Sequence, residues 1–394
     1  MASSVIVAGA RTPIGKFQGG LADLRAVDLG AVAIREALSR AGVAPDQVDY
    51  VIMGQVLRAG TGQITARQAA VAAGVPKEVP SVNVDKVCLS GINAIALADQ
   101  LIRAGEVEVV VAGGMESMTN APYVLPKARA GSRLGHAELV DSMQYDGLWS
   151  TFTQQVMGES SDDVNAELGI TREDQDAWAA RSHRRAHAGW VSGALAEEVV
   201  PVEVPQRKAD PEVIDRDEGI RPDTTPETLA GLKPAFKEDG TITAGNASQI
   251  SDGAAAVVLT SAERAARLGL RPMAEIVAYG MSAERFPYLH TVPAIALQNA
   301  LKKAQLDVHD LRLLEVNEAF AAVSLNVTRI LGFDEELVNV NGGAVALGHP
   351  IGCSGARIVL TLVHEMRRRG VGIGGAAICG GGGQGDALVL RAVA

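Results

Sequence analysis

The chain contains little of what marks several large classes of protein. Its 394 residues include only three cysteines, Cys88, Cys353 and Cys379, an odd number that lacks the spacing of a disulfide framework or a zinc site. Aromatic residues make up only 4% of the chain. No uncharged apolar run reaches the length of about 18 residues that favours a membrane helix, and the N-terminus lacks a secretory pattern. These absences predict a cytoplasmic protein without a metal site or a membrane span.

A net positive charge is also absent, because 46 acidic residues outnumber 36 basic ones and the formal net charge is −10. A nucleic-acid-binding surface needs a clustered basic face, so this class of partner is not expected. An anionic small molecule remains compatible, since only the charge near its pocket matters. With 47% hydrophobic residues and 43 glycines, the chain can bury a large core with close backbone packing, and its length predicts two or three domains.

What the chain does have is an internal repeat. Ser90-Gly91 and Ser354-Gly355, which are 264 residues apart, each begin an apolar run that is followed by a strand-like, glycine-ended segment. Upstream, residues 31–41 match residues 294–304 at an offset of 263. A period this long indicates a duplicated domain, because solenoid repeats run to about 20–50 residues. Strand and helix patterns alternate in both copies, which predicts an α/β fold.

The repeat also suggests how the chain is divided. Residues 119–249 break the α/β pattern and hold all three tryptophans. A helix is predicted there from Arg172, with Thr171 as its N-cap. A structureless loop of this length is improbable in a compact protein, so the segment is interpreted as an inserted subdomain. We therefore expect a first domain over residues 1–265, containing the insertion at about 119–249, and a second domain over residues 271–394.

Cys88 is the first candidate for chemistry. It lies between a short strand and a helix that is apolar on nearly every face. A thiol at a helix N-terminus feels the positive end of the helix dipole, which favours the reactive thiolate. The alternative is a small buried hydrophobe, which free cysteine often is.

The second copy supplies possible partners for Cys88. His349 lies in a glycine-rich segment before the equivalent helix and is suited to act as a base. Cys379 ends a strand and is followed by the four glycines Gly380–Gly383, whose N–H groups could approach a ligand closely. A phosphate-binding loop is the rival interpretation, but the Lys-Ser/Thr pair is missing. Asn317 ends another strand, so the set resembles a nucleophile, a base and an acid where the two halves meet.

Five motifs, in order along the whole chain, closely resemble those of the thiolase family, and the likeness is strongest to bacterial acetyl-CoA C-acetyltransferases. They are Val87–Gly91 (Val-Cys-Leu-Ser-Gly), Ala112–Met118 (Ala-Gly-Gly-Met-Glu-Ser-Met), Asn317–Phe320 (Asn-Glu-Ala-Phe), Asn341–Gly352 and Cys379–Gly383. The resemblance implies duplicated αβαβα layers, with two five-stranded mixed sheets, central helices and an inserted loop domain that holds coenzyme A. The implied reaction is the reversible ping-pong condensation of two acetyl-CoA to acetoacetyl-CoA and CoA.

The resemblance also implies roles for single residues. Cys88 would be the acylated nucleophile, His349 the base that activates it, and Cys379 the group that moves the α-carbon proton of the second acetyl-CoA. Asn317 would hold a water that forms one oxyanion hole with His349, while the backbone N–H groups of Cys88 and Gly381 would form the other. The residues implied to contact coenzyme A are Met157, Arg221, Ala244, Ser248 and Phe320. For Arg221, a solvated loop charge is the alternative.

Coenzyme A would thus be substrate and product, with no tightly bound cofactor. A homo-oligomer, a dimer of dimers, is expected because the apolar residues 121–126, with Leu134, Leu139 and Met143, lie outside either repeated core. Acyl-CoA molecules are the expected partners.

Three positions depart from the family pattern. Val156 stands where biosynthetic relatives have histidine, and Phe286–Pro293 replaces a glycine-rich stretch, so that the rings of Phe286 and Tyr288 would shorten the acyl pocket if they point inward. Cys353 is interpreted as a filler at a helix start. The alternatives are a degradative 3-ketoacyl-CoA thiolase for longer chains, a β-ketoacyl synthase, which would not need Cys379, and a non-catalytic acyl-CoA-binding relative.

Overall fold

The computed structural model describes residues 3–285 and 288–393. Its strands are β1 (Ser4–Arg11), β2 (Gly15–Lys16), β3 (Tyr50–Gly54), β4 (Ser81–Val84), β5 (Val109–Ser117), β6 (Tyr123–Val124), β7 (Val140–Asp141), β8 (Trp149–Ser150), β9 (Gln155–Val156), β10 (Val202–Val204), β11 (Glu212–Ile214), β12 (Ser251–Ser261), β13 (Ala274–Ala283), β14 (Leu313–Val316), β15 (Ile373–Gly380) and β16 (Gln384–Ala392). Its α-helices are α1 (Ala26–Ala41), α2 (Thr65–Ala72), α3 (Ser90–Ala104), α4 (Met157–Leu168), α5 (Arg172–Val191), α6 (Pro226–Ala230), α7 (Ala262–Arg267), α8 (Val292–Ala304), α9 (Ala321–Leu331), α10 (Ala344–Leu347) and α11 (Ser354–Arg369).

The two halves build equivalent mixed sheets. In the first half the strand order is β4-β3-β5-β12-β1, and in the second it is β13-β16-β15-β14. The strands β1 and β13 pair over Val5–Glu275 and Ile6–Ala274, which joins the two sheets at one edge. Helices α3 and α11 contact one another between the sheets, while α1 packs on β12 and α8 packs on β13 and β16. The predicted αβαβα layering is therefore present.

The second sheet differs from the first at its outer edge. Within the described residues, its fifth position is a single bridge between Leu314 and Val338 rather than a strand. The next residue, Asn339, has a left-handed φ of 48°. Its side-chain amide accepts a hydrogen bond from Val316 N at 2.8 Å and donates one to Val316 O at 2.8 Å. The Asn339 side chain thus forms the two hydrogen bonds that a neighbouring strand would otherwise supply. The backbone N–H and C=O groups at this end of β14 therefore stay paired.

The central helices touch through glycine. A Cβ atom on Gly91 would lie 2.6 Å from Ala356 N, and one on Gly355 would lie 2.4 Å from Ile92 N. Carbon and nitrogen atoms do not approach so closely, so only glycine permits this contact between backbones. The two residues are equivalent in the repeat. Their contact places the starts of α3 and α11 side by side, together with the loops that precede them.

Helix α3 is also the one described segment with the length and composition of a membrane span. The stretch Val87–Ala104 passes that test, but 56% of it is buried inside the protein. A core helix has the same composition, and α3 packs against β5 and α11.

The inserted residues carry helices α4 to α6 and three short strand pairs. Helix α5 begins as predicted, because the Thr171 hydroxyl accepts a hydrogen bond from Asp174 N at 3.1 Å. The insertion is fixed to β1 by a buried ion network, in which Arg11 binds Glu198 at 2.6 Å and Asp217 at 2.7 Å. Helix α5 also packs on α9 and α10, so the insertion covers the second half beside the end of β14.

Candidate active site

Cys88 is half-buried in the tight loop between β4 and α3. The preceding residue, Val87, has a φ of 51°. A β-branched residue in this region costs on the order of 1–3 kcal/mol and is held there by its surroundings. The Ser90 hydroxyl accepts a hydrogen bond from Lys86 N at 2.8 Å and donates one to Val87 O at 2.6 Å. The sequence Val-Cys-Leu-Ser-Gly therefore folds into a strained turn that Ser90 closes.

The protonation state of Cys88 is set by opposing effects. Burial raises the pKa of the thiol to about 12, and the charge of Glu116 acts in the same direction. The backbone N–H groups of Cys88 and Gly381 form hydrogen bonds to the sulfur and lower its pKa, but by less. The prediction that the helix N-terminus favours a thiolate is therefore wrong, because burial raises the pKa of Cys88 by more than these N–H groups lower it. Cys88 needs a base to remove its proton.

His349 has the geometry of such a base. Its Nδ1 lies 2.6 Å from the Ser354 hydroxyl, which itself donates to Pro350 O at 3.0 Å. With that hydroxyl proton assigned to Pro350, the hydrogen-bond network assigns the ring hydrogen to Nδ1 as the donor to Ser354. The other nitrogen, Nε2, is buried and has no hydrogen-bond partner within residues 3–285 and 288–393. Burial, with a smaller contribution from Arg357, lowers the pKa of His349 to about 3. The imidazole is neutral and offers a free lone pair.

The remaining candidates lie around the same point. Cys379 is buried at the end of β15, and its pKa is raised by burial and then by the neighbouring Cys88. Asn317 is fully buried, with Nδ2 at 3.5 Å from His349 Nδ1, and its Oδ1 has no partner in the described part of the chain. Cys88 packs against the apolar cluster that contains Ile351, which is two residues after His349. The structure therefore brings together residues from both halves: Cys88, Asn317, His349, Cys379 and Gly381.

The architecture and this arrangement can be set beside known proteins. A family model described as "Thiolase, N-terminal domain" matches residues 4–263, and one described as "Thiolase, C-terminal domain" matches residues 270–392. The chain belongs to the thiolase family.

Relatives of this thiolase are similar over their full length. The chain is 58% identical to a "Probable acetyl-CoA acetyltransferase" of Mycolicibacterium smegmatis, over 98% of this chain and 100% of that protein. It is 52% identical to an "Acetyl-CoA acetyltransferase" of Pseudomonas aeruginosa, over 99% of both chains. The crystal structure of the Bacillus anthracis acetyl-CoA acetyltransferase superposes with a TM-score of 0.97 at 44% identity, covering 100% of this chain and 99% of that one. The resemblance drawn from the five motifs is confirmed.

Two buried glutamates organise the thiolase site: Glu318, whose carboxylate the sequence placed near the site without a role, and Glu116, which was not singled out. Glu318 accepts hydrogen bonds from Trp178 and Ser182 of the insertion at 2.9 and 2.7 Å, and also from Asn339 Nδ2 and Val345 N. It thereby ties the insertion to the segment before His349. Glu318 lies inside the Asn-Glu-Ala-Phe motif, so the motif was the signal that could have indicated it.

Glu116, near the end of β5, also connects separate segments of the site. It accepts hydrogen bonds from Val56 N at 3.0 Å, Leu57 N at 3.2 Å and Gly352 N at 3.1 Å. Burial raises its pKa to about 8, although the three N–H groups oppose the shift. It connects the end of β5 to the turn after His349, and its motif, Gly-Gly-Met-Glu-Ser-Met, again contained the signal.

The residues proposed to contact coenzyme A fall into two groups. Met157 and Phe320 pack in one apolar cluster, and Ser248 N donates to Ala319 O at 3.1 Å beside them. The Phe320 ring meets Phe236 edge to face at 6.2 Å, and Phe236 was missed in the sequence. Arg221 and Ala244 are exposed instead, and the Arg221 backbone N–H donates to His183 Nδ1 at 3.1 Å. Of the five residues, only Met157, Ser248 and Phe320 lie together on one wall.

The segment that departs from the family pattern is partly visible. Phe286 lies outside the described residues. The Tyr288 ring lies beneath the exposed Arg285 guanidinium, at 4.5 Å, so one face of the ring is directed to the surface. Leu289 and His290 are buried, and neither ring nitrogen of His290 has a hydrogen-bond partner among the described residues. Buried volume in this segment therefore comes from Leu289 and His290 more than from Tyr288.

Proposed function

We propose that this thiolase is an acetyl-CoA C-acetyltransferase that condenses two acetyl-CoA to acetoacetyl-CoA and CoA, reversibly, through an acyl-Cys88 intermediate. The observation that carries the proposal is the meeting of two thiols, Cys88 and Cys379, with a neutral His349 whose Nε2 is free. The printed names of the full-length relatives support the same activity.

The first half-reaction transfers the acetyl group to Cys88. His349 Nε2 takes the thiol proton, and the sulfur attacks the thioester carbonyl of acetyl-CoA. The N–H groups of Cys88 and Gly381, which bind the sulfur in the free protein, hold the oxyanion that forms beside it. The tetrahedral intermediate then expels CoA, which leaves with the proton of Cys379, so that Cys379 remains as a thiolate and His349 as an imidazolium.

The second half-reaction forms the carbon–carbon bond. Cys379 removes the α-proton of a second acetyl-CoA, and the enolate oxygen is stabilised by the imidazolium of His349 together with a water held by Asn317. The enolate carbon attacks the acetyl group on Cys88, and the Cys88 thiolate leaves and takes back its proton from His349. Because burial raises the pKa of Cys379, its thiolate is a strong base for the α-proton, and the thiol so formed returns that proton in the reverse direction. This division of labour needs two thiols.

Several further assignments belong to the proposal. Coenzyme A is substrate and product and is contacted by Met157, Arg221, Ala244, Ser248 and Phe320. The chain divides into residues 1–265, with the insertion at 119–249, and residues 271–394. Three free thiols suit the reducing cytoplasm. A dimer of dimers is supported by the exposed apolar residues Tyr123, Leu134 and Leu139 of the insertion, of which Leu134 is 99% exposed.

Labelling tests the proposal directly. Incubation with radiolabelled acetyl-CoA should release free CoA in a burst and leave the label on the Cys88 peptide, while Cys88→Ala gives neither. Cys353 is the internal control, since it is a buried thiol that the mechanism does not use. Label on Cys353 or Cys379 would overturn the nucleophile assignment, and absence of a burst would favour a non-catalytic acyl-CoA binder. A preference for long 3-ketoacyl-CoA in thiolysis would favour the degradative alternative.

A further inference from the structure

A buried ion pair joins the two halves beside the nucleophile. Lys86, two residues before Cys88, donates from Nζ to Asp386 Oδ1 at 2.7 Å. The Asp386 side chain is completely buried, and that of Lys86 is 20% exposed. Asp386 follows the glycine loop by three residues, since that loop ends at Gly383. The pair therefore links the flank of one oxyanion donor, Cys88, to the flank of the other, Gly381.

The carboxylate of Asp386 is held from other sides as well. Asn93 of α3 donates to its Oδ2 at 3.4 Å and to the Tyr279 hydroxyl of β13 at 2.9 Å. Burial, and then the charge and hydrogen bond of Asp386, raise the pKa of Tyr279, so this phenol stays neutral. Lys86 is the only ion-pair partner of Asp386 among the described residues. Without it, a buried charge would lack compensation.

The nucleophile loop needs such a support. Val87 is held in a left-handed conformation, and Ser90 fixes it only from within the same loop. From the second half, a Cβ atom on Gly381 would lie 3.2 Å from a Val87 methyl group, so the two loops touch. The two N–H donors come from different halves, and a displacement of about 1 Å at a reacting centre can reduce the rate about 10²-fold.

We propose that Lys86 and Asp386 are a positioning pair, which sets the Cys88 N–H and the Gly381 N–H at the spacing that one oxyanion requires. Among the described residues, neither side chain of the pair forms a hydrogen bond with Cys88, Asn317, His349 or Cys379. The inference rests on the proposed acylation of Cys88.

The test uses the full-length protein and three variants of the pair. Lys86→Met and Asp386→Asn remove the ion pair, and Lys86→Arg keeps the charge. Arg391→Met is the matched control, because Arg391 lies on the same strand as Asp386, β16, and forms an exposed pair with Glu275 of β13. For each variant we would measure the rate of the CoA burst, kcat and KM for thiolysis, and the thermal midpoint.

Lys86→Met and Asp386→Asn should slow the burst and lower kcat about 10²-fold, as expected for displaced oxyanion donors, with KM nearly unchanged. Lys86→Arg should recover most of the rate, and Arg391→Met should match the wild type. A lowered thermal midpoint with an unchanged burst rate per folded molecule would show that the pair is merely structural. A wild-type protein without any burst would instead refute the proposed function.

A gentler variant covers the case in which both disruptive variants fail to fold. Asp386→Glu keeps the carboxylate and the ion pair but lengthens the side chain by one methylene, so it shifts the loop without leaving a buried charge alone. The proposal expects a slower burst in a folded protein. A wild-type burst rate in Asp386→Glu would overturn it.

Discussion

Gly380→Ala offers a sharp test of how the glycine loop is placed. A Cβ atom on Gly380 would lie 2.6 Å from Leu89 Cγ. That is about 1 Å short of the roughly 3.5–4.0 Å at which two carbon atoms attract each other. Leu89 is completely buried, so its side chain has no free space to enter. Gly380 is itself paired with Gln384 across β15 and β16, which limits its retreat from Leu89.

Two effects of different size follow from this clash. Overpacking a well-filled core costs about 1–3 kcal/mol, which the free energy of unfolding in denaturant should report. The neighbouring Gly381 N–H must move with Gly380 relative to Cys88, and a shift of about 1 Å should slow acylation about 10²-fold. Most molecules of the variant should stay folded, so the slower acylation is the larger of the two measurable effects.

The assay compares the rate of the CoA burst with denaturant unfolding in Gly380→Ala and in a control, Gly372→Ala. Gly372 precedes the same strand, and a Cβ atom there would meet nothing within 4 Å. The control should keep the wild-type rate and stability. If Gly380→Ala acylates at the wild-type rate while it loses stability, the contact with Leu89 does not position the oxyanion donor and the reasoning is refuted.

Other outcomes can be measured in parallel. Cys379→Ser should still release a burst of CoA, whereas condensation should fall about 10²–10⁴-fold, as expected for loss of a general acid–base; equal loss of both would make Cys379 structural. Because the pKa of Cys88 is raised to about 12, the free protein holds a neutral thiol, and its alkylation by iodoacetamide should accelerate steadily from pH 7 to pH 10; a plateau near neutrality would contradict this shift. Leu289 and His290 fill the segment before α8, so kcat/KM for 3-ketoacyl-CoA should fall beyond six carbons. The fall should be gradual, because one methylene in an apolar pocket is worth about 1–3 kcal/mol. Equal activity at ten carbons would refute a short pocket. Light scattering at micromolar concentration should show an oligomer, and a mass of 40.9 kDa would contradict it.

Much of the fold could be predicted because its signals are local. The repeated Ser-Gly pairs mark helix starts, and Thr171 with its acidic followers marks the start of α5. The thiolate prediction for Cys88 failed because the dipole of α3 can be inferred from sequence, whereas the burial that opposes it depends on every surrounding element.

Contacts between distant side chains could not be predicted in this way. Lys86 and Asp386 are 300 residues apart, and each alone resembles an ordinary charged residue. The bonds of Glu318 to Trp178 and Ser182 likewise exist only after the insertion has folded onto the second half. The side chain of Asn339, which replaces a strand pairing, gave no periodic pattern to detect.

Because of the glycine contact between α3 and α11, substitutions elsewhere in the chain have little effect on the geometry of the reactive centre. The spacing of the two helices is set by main-chain atoms at Gly91 and Gly355, so a change in core side chains does not readily alter it. The Bacillus anthracis enzyme superposes with a TM-score of 0.97 although fewer than half of its residues, 44%, are identical. A protein built in this way can exchange the walls that select the acyl chain while its catalytic spacing stays constant. Engineering of substrate range should therefore begin in the insertion and before α8, and should leave these two glycines untouched.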